Sequence, residues 1–191
     1  MRFLIFVLCS ITLVSGKRPS DIVSDPVQAK QGYEYLLEVR STPVNYYKEL
    51  GYAKNIKVSG IKLIWNDTLA QVATAKAMDM AKRNYFAHVD PDGFGMNYYI
   101  NKAGYKLNAD WLSKKSMNYF ESLVAGDYNG VDAIKTLLID AQTPGLGHRS
   151  HLLGLNEWNG SLKDIGIGYV RSETGSTYKT YVCVLIAKHD W

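Results

Sequence analysis

The sequence predicts an α+β domain in which an antiparallel sheet is covered by helices. Two observations carry this. In three stretches between residues 27 and 141 the apolar residues recur at three- and four-residue spacing, and from residue 165 to residue 187 they gather into two β-rich runs. Helices first and strands last is the order of an α+β domain, not of alternating βαβ units.

Residues 1–16 stand apart from the domain. Met1-Arg2 is a short cationic start, Phe3 to Val14 is an apolar run, and Val14-Ser15-Gly16 offers small residues for cleavage. This pattern reads as a secretory signal, and the run is short of the roughly 20 residues needed to span a bilayer. The mature chain is expected to be secreted, extracellular or periplasmic, with no transmembrane segment. Residues 17–26 mix Lys, Arg, Pro, Ser and Asp without periodicity and read as a linker, so that 27–191 is the folded domain. About 175 residues remain after cleavage, enough for one domain with a full core. Cys9 lies in the apolar run, leaving Cys183 as the single cysteine of the exported chain. An intramolecular disulfide is therefore excluded, and the core must hold the domain together by itself.

From Val27 a helical pattern runs through Tyr33, Leu36, Leu37 and Val39-Arg40 to the Pro43 break. Asn66-Asp67-Thr68 caps a second helix, with Leu69, Val72, Ala73, Ala77 and Met80 inward and Lys76 and Asp79 on the wet side. It ends near Tyr85-Phe86, directly before His88. Asp90-Pro91-Asp92-Gly93 is a turn, since Pro presets φ and Asp and Gly suit the positions after it. A short helix through Tyr98, Tyr99 and Ile100 closes at Gly104. Val131 to Ala141 is a further helix, with Ile134, Leu137, Leu138 and Ala141 inward and Asp140 at the edge of that stripe. Ile165–Val170 and Tyr178–Ala187 then form a hairpin joined by the Gly-containing loop Arg171–Ser176. Cys183 alternates with buried strand positions as a core thiol.

The formal net charge is +4, falling to +3 without Arg2, and Lys and Arg are scattered. No basic stripe interleaved with aromatics is present, so nucleic acid is not an expected partner. Fourteen tyrosines suit carbohydrate, lipid or protein contacts as well as half-buried positions. There is no Gly-x-Ser-x-Gly elbow, no phosphate loop with Lys and no Cys-x-x-Cys pair, and Gly166-Ile-Gly168 lacks the third glycine of a dinucleotide site. Asn66-Asp67-Thr68 and Asn159-Gly160-Ser161 are formal glycosylation sequons. His148 and His151 are one helical turn apart without the Glu of a metalloprotease helix. His151 and His189 read as structural.

The residues with chemistry are His88, Glu121, Asp140 and His148, each set among apolar or turn-forming neighbours. Imidazole nitrogen with carboxylate oxygen is a ligand set suited to zinc and related divalent cations. Without metal the same four could form two histidine–carboxylate pairs that stiffen a cleft. His148 lies near the start of a helix, whose positive end disfavours the imidazolium form.

In order, the chain carries Asn66-Asp-Thr-Leu-Ala70, Tyr85-Phe-Ala-His88-Val-Asp-Pro-Asp-Gly93, Ala103-Gly-Tyr105, Phe120-Glu121-Ser122-Leu123, Gly147-His148-Arg149 and Asp164-Ile-Gly-Ile-Gly168-Tyr. That series resembles the bacterial branch of the CAP superfamily, the SCP or SCP/TAPS domain, over Val27 to Lys188. The resemblance implies an α-β-α sandwich with a cleft lined by two His and two acidic residues. The family's first and second His fall on His88 and His148. The Glu of its Glu-Asn-(Ile/Leu) motif falls on Glu121, and its second acidic position on Asp140. Ser122 stands where Asn is usual, and His151 where Asn often follows His-Arg. The disulfides of animal members are missing, which favours a bacterial protein. The expected function is an extracellular ligand-binding module, a monomer acting on lipid, cell-wall or host-protein components, with zinc or another divalent cation at His88, Glu121, Asp140 and His148. The alternative is a zinc-dependent hydrolase with Glu121 as general base.

Overall fold

The computed structural model describes residues 22–173 and 175–189; the signal sequence expected at 1–16 lies outside them. The strands are β1 (Ile22–Ser24), β2 (Ile64–Trp65), β3 (Glu121–Gly126), β4 (Asp164–Ser172) and β5 (Thr180–Ala187). The helices are α1 (Pro26–Ser41), α2 (Tyr47–Leu50), α3 (Asp67–Arg83), α4 (Met96–Lys102), α5 (Gly130–Ile139), α6 (Gly147–Leu153) and α7 (Glu157–Gly160). The sheet order is β1-β4-β5-β3, all antiparallel, with β2 adding a short parallel pairing to β4.

The expected helices form, α3 with the cap its sequence predicts and α1 with a cap from the stretch read as linker. Asp25 and Asn66 cap α1 and α3, their side chains accepting from the backbone N–H of Gln28 and Leu69 at 3.1 and 3.0 Å. The β4–β5 hairpin forms as the sequence predicts, and Cys183 is fully buried within it. Its β4 runs on through the expected loop residues Arg171 and Ser172, and β5 starts at Thr180 instead of Tyr178. No helix of the described residues is long and apolar enough to cross a membrane.

Four expectations are corrected. Residues 22–24, placed in the linker, form β1 and pair with β4 from Ser172 back to Val170. The chain 121–126, for which no strand was expected, is β3, so strands also interleave with the helices. Six half-apolar residues carry too little periodicity to declare a strand; pairing with β5 makes it one. Helix α5 stops at Ile139, so Ala141 is exposed instead of inward. Lys76, placed on the wet side of α3, is only 4% exposed.

Layering follows from the side-chain alternation of β4 and β5. Gly166 and Gly168 face α3, and the helix backbone lies directly on them. A Cβ at Gly166 would come within 2.1 Å of Ala70 N, and one at Gly168 within 2.2 Å of Thr74 N. Glu121, Leu123 and Cys183, in register with these glycines, share that face. Ser122, Val184 and Ile167 point to the other face, where α1, α5 and α6 pack on one another. The result is an α-β-α sandwich with β3 on its edge.

Candidate functional site

The cleft opens at the beginning of β3, where adjacent residues point to opposite sides of the sheet. It holds about 400 Å³ and is lined by, among others, His88, Asn118, Glu121, Ser122, His148 and His151.

His88 reaches it from the loop after α3. Asn84 ends that helix in the left-handed conformation, and the buried Lys76 ammonium donates to the carbonyls of Ala87 and His88 at 2.8 and 3.1 Å. A charge inside the sandwich is tolerated because it caps the loop's carbonyls. Lys76 was legible: it falls four residues after Val72 and four before Met80, on the apolar stripe itself. The His88 imidazole is half exposed, with Nδ1 2.7 Å from Oε2 of Glu121, whose side chain is fully buried. The same oxygen accepts from Asn118 Nδ2 at 2.9 Å, and Oε1 lies 3.6 Å from the Cys183 sulfur. Burial, reinforced by the Glu121 charge, pushes the Cys183 thiol well up, so it stays a protonated donor.

His148 mirrors this arrangement on the other side of β3. Asp140 is the C-cap of α5, with φ of 53°, a left-handed position that Asp tolerates better than most residues. From there its carboxylate accepts from His148 Nδ1 at 2.8 Å and from the backbone N–H groups of His148 and Arg149 at 2.9 and 3.2 Å. It thus serves the first turn of α6 as a remote cap. Burial works to raise the Asp140 pKa, but hydrogen bonds from Thr143, His148 and Arg149 outweigh it and hold the carboxyl below its ordinary range. Arg40 closes the opposite end of α6 by donating to Leu152 O at 2.8 Å.

The four residues therefore form two histidine–carboxylate pairs. Among the described residues no three His, Cys, Asp or Glu side chains are grouped as they stand to hold a metal ion. A carboxylate can only accept, so each Nδ1 carries the proton, and Nε2 is the nitrogen that offers a lone pair when the ring is neutral.

The two departures from the family pattern touch one another. Ser122 Oγ lies 2.7 Å from His151 Nδ1. His151, read from sequence as merely structural, is a buried cleft residue 7% exposed. Burial drives its pKa down to about 4, and the nearby Arg40 charge adds to this, as do His148 and His88 when protonated. The Ile186 backbone pulls the other way without forming a well-aligned hydrogen bond to Nε2. Folding thus favours the neutral ring. This stability is complete above the ordinary histidine value of about 6.5 and is lost as pH falls from there to about 4, amounting to about 3 kcal/mol. Chemical denaturation between pH 7 and pH 4 should show that loss in the native chain and a flatter profile in His151→Asn. Equal slopes in both would refute the assignment.

A three-layer α-β-α domain with paired imidazoles and carboxylates at its sheet edge is the class that fold and cleft define. The model of the cysteine-rich secretory protein family, CAP, matches residues 57–185, and the chain belongs to that family. It does so with two cysteines in all. No curated protein matches. Among solved structures, the chain is similar to an SCP-domain-containing extracellular protein of Bacillus anthracis str. Ames, at 20% identity and a TM-score of 0.52, covering 86% of this chain. This chain spans 41% of that protein's length. It is also similar to an outer surface protein of Borrelia burgdorferi, at 16% identity and a TM-score of 0.56, with 89% and 99% of the two chains covered.

Proposed function

We propose that this chain is an exported CAP-domain protein that holds a divalent cation, zinc by the chemistry of its donors, through Nε2 of His88 and His148, and that it uses the cleft to bind an extracellular lipid, cell-wall or host component. The observation that carries the reading is the pairing of each Nδ1 with a buried carboxylate, the arrangement that fixes the tautomer and orientation of metal-binding imidazoles. Glu121 and Asp140 then act one step out from the ion, as the groups that aim the rings. Two imidazoles leave coordination positions open, and a bound cation there supplies a concentrated positive charge for oxygen atoms of a ligand. The hydrolase alternative is less well supported. Both oxygens of Glu121 already have partners, and its side chain is fully buried, so it is poorly placed to take a proton from water.

Zinc titration of the chelator-treated chain tests this. Stoichiometric uptake is expected, lost in the His88→Ala/His148→Ala double variant and weakened roughly 10- to 100-fold in Glu121→Gln. Uptake that the double variant leaves unchanged would overturn the proposal.

A further inference from the structure

The cleft has an aromatic wall that metal binding does not use. Tyr119 and Trp158 are 42% and 37% exposed, with centroids 6.2 Å apart and planes at 81°. Their exposure is built in. Trp158 stacks on the fully buried Phe120 at 5.9 Å and meets Trp111 edge-on at 5.3 Å, so neither neighbour lets it fold inward. Tyr119 lines the cleft, and so does Asn159, the residue after Trp158. The Lys188 ammonium sits at the rim of this wall, 4.9 Å from the Trp158 ring.

A second observation is polar. Three buried side-chain polar atoms among the described residues lack a partner, and two of them, Asn118 Oδ1 and His151 Nε2, belong to residues lining this cleft. His151 Nε2 lies toward the Ile186 backbone, so the open acceptor is Asn118 Oδ1. The Glu121 carboxylate only accepts, so the Asn118 amide must turn its NH2 toward it. That leaves Oδ1 as an acceptor with no donor. Buried polar atoms are otherwise nearly always satisfied, and an acceptor left without a donor at the cleft points to a ligand that donates a hydrogen bond.

A ligand that matches both features has a flat face of C–H groups and a rim of hydroxyls. An acyl chain would satisfy the rings and leave Asn118 orphaned, and a metal ion would satisfy the imidazoles and leave the rings bare. A nucleic acid would require a basic lining, whereas this one carries Glu121. We infer that Tyr119, Trp158 and Asn118 form a saccharide subsite, in which a pyranose stacks on the aromatic wall and donates a hydroxyl to Asn118 Oδ1. This rests on reading the cleft as the ligand-binding site but does not require the cation.

The test is calorimetric titration of the full chain, with tryptophan fluorescence in parallel. The probes are the linear tetrasaccharides of N-acetylglucosamine, glucose and galacturonic acid, each in chelator and again with zinc. Saturable binding of at least one is expected, with a change in tryptophan emission. Trp158→Ala and Tyr119→Ser should each weaken it at least tenfold, while Trp158→Phe retains it and zinc uptake stays as in the native chain. Tyr119→Ser, at an exposed position, carries the test if Trp158→Ala does not fold. Binding in chelator by a chain that takes up no zinc would sink the metal proposal and leave the saccharide subsite standing. No binding by any of the three probes, or native affinity in a folded Tyr119→Ser and Trp158→Ala, would overturn the subsite.

Discussion

Replacing Arg149 with methionine is expected to cost about 3–5 kcal/mol of stability, which would leave the domain close to unfolding. The guanidinium is buried and donates to Leu138 O at 2.6 Å, Ile139 O at 2.5 Å and Leu50 O at 3.2 Å. Those carbonyls are the last of α5 and α2, which a helix cannot satisfy by itself. Methionine fills the volume and leaves all three unpaired. Lysine restores the charge without the planar fork and should recover only part of the loss. Urea denaturation measures both variants; a shift under 1 kcal/mol in Arg149→Met would rule out this role. In Gly147-His148-Arg149, then, the His faces the cleft and the Arg holds the helix ends that put it there.

Gly168→Ala should be comparably damaging, at about 3 kcal/mol or more, although it adds a single methyl group. The new Cβ would overlap the backbone of α3 at Ala73 and Thr74, and backbone cannot move aside as a flexible side-chain end can. Relief requires lifting α3 off the sheet, which would also drag Lys76 and the His88 loop. Gly60→Ala, where no atom lies within 4 Å of the added carbon, is the control and should stay within about 0.5 kcal/mol. Thermal melts compare the pair. Similar melting temperatures would mean that the helix–sheet contact is softer than its distances imply.

What the sequence revealed and what it hid divide along physical lines. Helix α3 and the β4–β5 hairpin were legible because each carries a long, unmixed periodicity together with its own cap or turn. The same periodicity places Lys76 inward, and the expectation failed there because residue type was given more weight than position; the chain returning over α3 is what buries it. Strands β1 and β3 are short and owe their existence to neighbours far away in sequence. His88, Glu121, Asp140 and His148 were identifiable from their motifs. Which carboxylate serves which imidazole was not, because that depends on β3 being the edge strand. The contact between Ser122 and His151, 29 residues apart, was equally out of reach, although both had been marked as departures from the family pattern.

The adjacency of Glu121 and Ser122 has a consequence for how this cleft can change. One residue serves the imidazole on the α3 side of the sheet and its neighbour the imidazole on the other, so both are governed by the register Glu121↔Leu185 and Ser122↔Val184. Sliding β3 by one residue would send the carboxylate to the wrong layer and the hydroxyl to the other. Substitutions can therefore accumulate along this strand, paired across the cleft as Ser122 and His151 are. A single insertion or deletion would scramble both halves at once.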